Sequence, residues 1–256
     1  MTAPDAREAP PVLAGVDGCP AGWLACRVAA TGPLMPEIRI FPRIADLLDG
    51  PDAPALTAID MPIGLSDAVG PGGRGPERLV RARLGARQSS VFSIPARAAV
   101  FAGEGLDERE AYARACATAL ATSTPPRKVS KQGFHLFPKI RELDRWMTPE
   151  RAARVIESHP ELAFAHLNGG APMTLPKKVE GRPNPPGLDE RRDLLVAHGF
   201  ERALLEARPP RGAAADDLLD ACVLALVARR WVAGRGVSHP AEPEHDARGL
   251  PMRICA

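Results

Sequence analysis

Two apolar segments of this sequence each end in an aspartate that is followed by a turn. Residues 12–17 read VLAGVD and precede the turn GCPAG, and residues 55–60 read ALTAID and precede MPIG. Short apolar runs bounded by turn residues are typical of buried strands. A carboxylate seldom lies beside buried strand residues without a partner. The pattern therefore predicts an α/β fold in which acidic side chains gather where strands end.

The rest of the chain extends this pattern to a mixed sheet of five strands flanked by helices. Strands are expected at 12–17, 23–30, 37–41, 55–60 and 154–159. A helical insertion between the fourth and fifth strands is expected over about 66–150, with helical patterns near 76–87, 107–121 and 138–147. Further helices are expected at 43–49, 188–197, 200–207 and 214–234, and the terminal LPMRICA is expected to add a short edge strand.

Composition limits the class of protein. A chain of 256 residues that is 45% hydrophobic can form one domain over 1–256. No apolar run approaches the length of a membrane span, and the N-terminal MTAPDAREAPP lacks the pattern of a signal peptide. We therefore expect a cytoplasmic protein without membrane partners. The net charge of +2 is too small to identify a partner, and the oligomeric state is open.

Acidic residues recur at the ends of the predicted elements. Asp17 and Asp60 end strands, Glu157 lies on the fifth strand, and Asp217 and Asp220 open the last helix. Clustered carboxylates repel one another unless cations neutralise them. Hard divalent cations such as Mg²⁺ or Mn²⁺ bind oxygen ligands, and a pair of such ions can activate water for phosphodiester hydrolysis. The five acids are therefore candidate metal ligands and catalytic residues.

Each acid taken alone has a simpler structural explanation. An aspartate after a strand is usually a turn residue, and one near a helix start is usually a cap or a partner of the helix dipole. The stretch DDLLDA departs from this expectation, since three carboxylates within five residues exceed what capping requires. The combined pattern favours a metal site.

Basic and polar residues follow the second aspartate. Six arginines lie between Ala68 and Gly103 against one acid, Glu77, and guanidinium groups suit phosphate oxygens. The five lysines all lie between 128 and 178. His159 is a candidate general acid or base, whereas His135 lies in FHLF, a pattern more typical of packing. The candidate substrate-binding residues are Arg83, Arg87, Gln88, Ser89, Ser90, Lys131 and Lys139.

Six segments together resemble an uncharacterised family of predicted RNase H-like nucleases. They read, in order, GVDGCPAGW, AIDMPIGL, RLGARQSSVFSIPAR, SKQGFHLFPKIRELD, ESHPELAF and DDLLDAC, and they span nearly the whole chain. The resemblance implies an RNase H-like fold, with the five acids as the site. The spacing in DLLDA also resembles the D-x-x-D-A pattern of Holliday junction resolvases, which are distant relatives in the same superfamily.

Three classes of function are consistent with these observations. The first is a metal-dependent nuclease that acts on DNA or RNA. The second is an actin-like phosphotransferase, although the turn DGCPAGW lacks the hydroxyl expected to contact phosphate. The third is a non-catalytic nucleic-acid-binding module, in which massed acids near phosphate would serve no purpose. Endo- or exonucleolytic action, and branched or linear substrate, are open.

Overall fold

The computed structural model describes residues 10–256, so most of the N-terminal MTAPDAREAPP segment lies outside the described residues. The strands are β1 (Val12–Cys19), β2 (Gly22–Ala29), β3 (Glu37–Phe41), β4 (Leu56–Ile59), β5 (Val155–Glu157), β6 (Lys178–Val179), β7 (Arg182–Pro183), β8 (Ser238–His245) and β9 (Pro251–Cys255). The helices are α1 (Ile44–Leu48), α2 (Gly75–Leu84), α3 (Arg97–Phe101), α4 (Glu108–Ala121), α5 (Lys131–His135), α6 (Phe137–Trp146), α7 (Pro160–Leu167), α8 (Pro185–Ala197), α9 (Arg202–Glu206) and α10 (Ala215–Val232).

The main sheet has five strands in the order β3-β2-β1-β4-β5. Strands β1 to β3 form an antiparallel meander, and β4 and β5 run parallel to β1. The tight turn between β1 and β2 uses Gly22 at a φ of +134°, where a Cβ would lie 2.2 Å from the carbonyl oxygen of Phe41. The expected α/β fold with a mixed five-stranded sheet is confirmed.

Helices cover both faces of this sheet because the strand side chains alternate in direction. Leu13 of β1 belongs to a buried cluster that contains the apolar residues of α10 and parts of α7 and α8. Ala14 and Val16 belong to a second cluster, which contains side chains of α1 and α6. None of the helices in residues 10–256 combines the length and apolar character that a membrane span requires.

Residues 60–154 connect β4 to β5 and carry helices α2 to α6. The helical patterns near 107–121 and 138–147 correspond to α4 and α6. The helix expected at 76–87 instead ends at Leu84, because Gly85 has a φ of +48° and begins a 3₁₀ segment that runs to Ser90. This 3₁₀ segment contains most of the polar residues assigned to substrate.

Two further elements differ from the sequence expectation. The strand expected at 154–159 ends at Glu157, since Pro160 favours the first position of helix α7 and His159 becomes its N-cap. The terminal LPMRICA does form a strand, β9, but it pairs with β8 in a separate two-stranded sheet. The prolines of SHPAEPEH conceal β8 from a sequence pattern, because proline is uncommon inside strands.

Candidate active site

Asp17 and Asp60 lie side by side where β1 and β4 run parallel. Val16 pairs with Ile59, and the Asp60 N–H donates a hydrogen bond to the carbonyl oxygen of Val16 at 2.9 Å. Both carboxylates line one cavity of about 360 Å³. The sheet register therefore places the two acids that end these apolar segments at the same edge.

Helix α10 brings Asp220 to this edge because it packs unusually close to β1. A Cβ on Gly15 would lie 2.0 Å from the backbone nitrogen of Ala225 and 2.1 Å from the carbonyl oxygen of Ala221. Only glycine allows the helix backbone to approach a strand so closely. Asp220 is buried by this contact, with only 4% of its surface exposed.

Burial and neighbouring charges raise the pKa of all three carboxyl groups. Burial is the largest cause for Asp17, and the charges of Asp60 and Asp220 raise its pKa further, to well above the usual range. Burial and the charge of Asp220 raise the pKa of Asp60 to about 8. Burial raises the pKa of Asp220 to about 6, although Lys177 opposes the shift. Asp17, Asp60 and Asp220 are here termed the acid cluster, and their raised pKa values show that the folded protein only partly compensates the charge of their carboxylate forms.

Lys177 supplies part of that neutralisation. Its ammonium group makes an ion pair with Oδ2 of Asp220. Burial lowers the pKa of Lys177, but the charges of Asp220 and Glu161 outweigh this effect and raise it above its usual value. Oδ1 of Asp220 remains buried without a hydrogen-bond donor among the described residues. Lys177 thus pairs with only one of the two carboxylate oxygens of Asp220.

Glu157 lines the same cavity, but its carboxylate is bound by other groups. Nη2 of Arg74 lies 2.5 Å from Oε1, and the N–H of Ile63 donates to Oε2 at 2.7 Å. Burial raises the pKa of Glu157 to about 7, even though Arg74 lowers it. Arg74 also pairs with Glu77 at 2.6 Å. Glu157 is therefore part of a buried ion-pair network at the cavity wall.

Asp217 also has a structural partner. Its Oδ2 accepts a hydrogen bond from the N–H of Ala214 at 2.8 Å, as the third residue of a helix does when it caps the N-terminus. The neighbouring Asp216 pairs with Lys178 at 2.6 Å. The sequence predicts that Asp217 and Asp220 act as a pair on one helix face. In the structure their roles differ, because Asp220 faces the strands whereas Asp217 caps the N-terminus of the helix.

Most of the six arginines between Ala68 and Gly103 stabilise the fold. Arg74 is described above, and Arg97 makes ion pairs with Asp144 and Asp246. Arg81 donates to the carbonyl oxygens of Gly72 and Val91, at 2.6 and 2.9 Å. Arg78 donates to the carbonyl oxygen of Gly73 at 3.1 Å.

Arg83 and Arg87 occupy different surroundings. Arg83 is exposed, and its charge acts on His166 and His239. Arg87 lines a second cavity of about 370 Å³ that also contains Asp60, Lys177 and Lys178. Of these two arginines, the structure therefore brings Arg87 to the acid cluster.

The other candidate substrate residues divide in the same way. Ser89 and Ser90 line the second cavity, and Ser90 also lines the first, whereas Gln88 is exposed outside both. Lys131 lines neither cavity and pairs with Glu108 at 2.9 Å. Lys139 lines the first cavity, where its Nζ donates to the carbonyl oxygen of Gly22 at 2.6 Å.

The two histidines considered from the sequence both line the first cavity. Burial lowers the pKa of His159 to about 4, so its ring is neutral near pH 7. The ring nitrogen Nε2 lies 3.3 Å from the carbonyl oxygen of Ser90, which makes Nε2 the donor in the neutral ring. His135 is mostly exposed and lies 3.5 Å from Glu108. Neutral His159 is suited to positioning rather than to donating a proton near pH 7.

The acid cluster fits a divalent cation in donor type and charge. Oδ1 of Asp220 is buried without a hydrogen-bond donor in residues 10–256. Carboxylate oxygens are the ligands that Mg²⁺ and Mn²⁺ prefer. Within the same residues, no group of three His, Cys, Asp or Glu side chains is already arranged around a single ion position. Binding would therefore require side-chain rotation and separation of Lys177 from Asp220.

Sequence reasoning missed two features of this site. Lys177 and Lys178 are two of the five lysines between 128 and 178, but no local sequence pattern shows that they pair with acids of α10 about 40 residues away. Phe92 lines both cavities, yet a phenylalanine in an apolar run is usually a core residue. Only the tertiary structure distinguishes these positions.

One comparison with known proteins identifies a relationship. The sequence model of a family described as "Protein of unknown function (DUF429)" matches residues 15–245, which include most of β1, all of β4 and β5, and all three residues of the acid cluster. No curated protein and no solved structure matches the chain significantly. The match covers most of the chain and agrees with the expectation of a family without an assigned activity. The chain belongs to the DUF429 family.

Proposed function

We propose that this protein is a divalent-metal-dependent nuclease with an RNase H-like fold. The observation that carries the proposal is the convergence of Asp17, Asp60 and Asp220 from two parallel strands and one helix. Burial raises the pKa of all three acids, and the charge of Asp220 raises the pKa values of Asp17 and Asp60 further, so a bound cation would stabilise the carboxylate forms. The sheet order β3-β2-β1-β4-β5 is consistent with the proposed fold.

The chain's own residues have distinct roles in this proposal. Asp17, Asp60 and Asp220 would hold Mg²⁺ or Mn²⁺, which would supply a polarised water and stabilise charge on a phosphodiester. Arg87, Lys177 and Lys178 lie beside the acid cluster and would bind phosphate oxygens. The Arg74 ion pair holds Glu157 and the backbone of Ile63 together at the cavity wall.

A non-catalytic nucleic-acid-binding module is supported less well by the site. A protein that only binds phosphate gains nothing from three acids beside its cationic groups, since like charges repel the ligand. An actin-like phosphotransferase would need a hydroxyl in the turn after β1, and residues 17–23 contain none. Metal-dependent turnover would separate hydrolysis from both alternatives.

The decisive experiment is a cleavage assay on labelled single-stranded, duplex, hybrid and branched nucleic acids with Mg²⁺ or Mn²⁺. We expect cleavage that excess chelator and Asp60→Asn both abolish, because an amide is a neutral and poorer ligand. Asp67→Asn is the matched control, since Asp67 is exposed and outside the acid cluster. Cleavage that persists in chelator, or that Asp60→Asn leaves unchanged, would refute the proposal.

A further inference from the structure

Two cavities of different chemistry meet at Asp60. The first cavity holds Asp17, and the second holds Arg87, Lys177 and Lys178. Both are several hundred Å³ in volume, which is the size of pockets that enclose small ligands. Four residues line both cavities: Asp60, Ser90, Phe92 and His159. A ligand that extends from one cavity to the other would therefore pass directly over an acid of the proposed centre.

The surface of the first cavity is mainly apolar, and its charged lining residues are Asp17, Asp60, Glu77, Glu157 and Lys139. Its walls include Met61, Val91, Ile94 and Ile254, all of which are buried, together with the ring of Phe92. Apolar walls with a few polar groups are typical of sites that enclose a flat organic ring. A volume of about 360 Å³ accommodates one nucleobase, but not a base pair with its stacked neighbours.

The second cavity, here termed the cationic cavity, holds three cationic side chains together with the carboxylates of Asp60, Glu161 and Asp216. Arg87 and the lysines Lys177 and Lys178 line it, and the buried Nε of Arg87 has no acceptor among the described residues. Guanidinium and ammonium groups bind phosphate oxygens through charge-assisted hydrogen bonds. The two lysines now pair with Asp220 and Asp216, so a phosphate would exchange one anionic partner for another.

From this juxtaposition we infer that the site binds one unpaired nucleobase in the apolar cavity and its phosphates in the cationic cavity. The substrate class is therefore single-stranded nucleic acid, or an unpaired end or extruded base of a duplex. This inference rests on the proposed function, since it places the scissile phosphate at the acid cluster. A base inside a duplex must leave its stack before it can enter an enclosed cavity.

The test compares ligands that differ only in the base. Binding of the four nucleoside 5′-monophosphates, ribose 5-phosphate and inorganic phosphate is measured by calorimetry with Mg²⁺ present. These probes contain no phosphodiester bond, so none is consumed. We expect at least one nucleotide to bind the parent protein roughly 5- to 150-fold more tightly than ribose 5-phosphate, which is the range for stacking one base on an aromatic side chain.

Two phenylalanine variants locate the base. Phe92→Ala should lower nucleotide affinity toward that of ribose 5-phosphate and leave ribose 5-phosphate binding unchanged. Phe101→Ala is the matched control, because Phe101 packs against the same hydrophobic cluster as Phe92 but lines a different cavity. Arg87→Ala should weaken nucleotide and ribose 5-phosphate binding by the same factor.

The outcomes distinguish this inference from the proposed function. Equal affinity of the parent protein for the nucleotides and ribose 5-phosphate would overturn base recognition, and this measurement needs no variant. Equal losses in Phe92→Ala and Phe101→Ala would also overturn it. Base-dependent binding without cleavage of any oligonucleotide would support the pocket and refute hydrolysis. Metal-dependent cleavage at an abasic position as fast as at a normal one would retain hydrolysis and reject the pocket.

Discussion

The ionisation of Asp60 should have a readily measured effect on the free energy of unfolding. Its pKa of about 8 in the folded protein, against a usual value of 3.8, means that the folded state holds this proton more tightly than the unfolded chain. The stabilisation from this carboxyl is therefore present below about pH 4 and is lost as the pH rises toward 8. A raised pKa in an acid thus makes the metal-free protein less stable at neutral and alkaline pH.

Asp60→Asn should remove this pH dependence. In excess chelator, the parent should lose more than about 1 kcal/mol of unfolding free energy relative to the variant between pH 5 and 8, since one pKa unit corresponds to about 1.4 kcal/mol. The pKa of Asp17 should fall as well, because the charge of Asp60 contributes to raising it. Urea unfolding at both pH values measures the difference.

Asp67→Asn serves as the control for this measurement, because Asp67 is exposed and outside the acid cluster. A parent and an Asp60→Asn variant with parallel pH profiles would show that the Asp60 carboxylate is solvated or hydrogen-bonded in the folded protein. The acid cluster would then lack the repulsion that makes it a site for cations.

Helix α10 and strand β1 form the contact between elements on which the acid cluster depends. Gly15→Ala would place a methyl group within 2.5 Å of three backbone atoms of α10, and backbone cannot yield as a flexible side chain can. We expect a loss of about 1 to 3 kcal/mol in unfolding free energy, or more if the helix cannot shift. A shift of α10 would also move Asp220 away from Asp17 and lower any metal-dependent activity.

Gly75→Ala is the matched control for this change, because a Cβ at Gly75 meets no atom within 4 Å. Chemical denaturation of both variants gives the comparison. If Gly15→Ala were as stable as Gly75→Ala, the close approach of α10 to β1 would not be needed to hold the acid cluster together.

The sequence predicts some elements better than others for identifiable reasons. Strands β1 and β4 are predictable from apolar runs that end at turn residues, and α10 is predictable from its length and its acidic start. Helix α7 is missed because only Ser158 and His159 separate it from β5 and because its eight residues are too few to show a clear helical period. Periodicity over a few residues cannot separate these two structures.

The same limit applies to the candidate site. Asp17 and Asp60 are predictable as neighbours, since parallel strands that end in acids bring them together. The ion pair between Arg74 and Glu157 is not predictable, because the two residues are 83 positions apart in the sequence. Local sequence shows that a charge is present, whereas its partner depends on how the whole chain packs.

At the scale of the whole molecule, basic residues are concentrated but mostly neutralised. The chain has 33 lysine and arginine residues against 31 acids, so the net charge gives little attraction to nucleic acid. Arg74 and Arg97 are committed to ion pairs inside the protein. Attraction to a phosphate backbone therefore depends on the few cationic residues that line the second cavity. Among them, Arg87 has a buried Nε donor without an acceptor in the described residues.

Arg87→Ala and Arg83→Ala should therefore differ in their effect on nucleic-acid binding. An arginine that contacts phosphate releases a condensed counterion and contributes about one unit to the slope of log affinity against log salt. Arg87→Ala should weaken binding at low salt and flatten the slope by roughly one unit, whereas Arg83→Ala, outside both cavities, should leave the slope unchanged.

The measurement is a filter-binding salt titration with single-stranded DNA and RNA, in an Asp17→Asn background so that substrate is not consumed. Both variants remove the same charge, so a general effect of net charge would change the two slopes equally. Equal slopes in the parent and Arg87→Ala would mean that Arg87 contacts no phosphate, and the cationic cavity would lose its role. A flattened slope in Arg87→Ala alone would place the nucleic-acid backbone beside Asp60, because Arg87 and Asp60 line the same cavity.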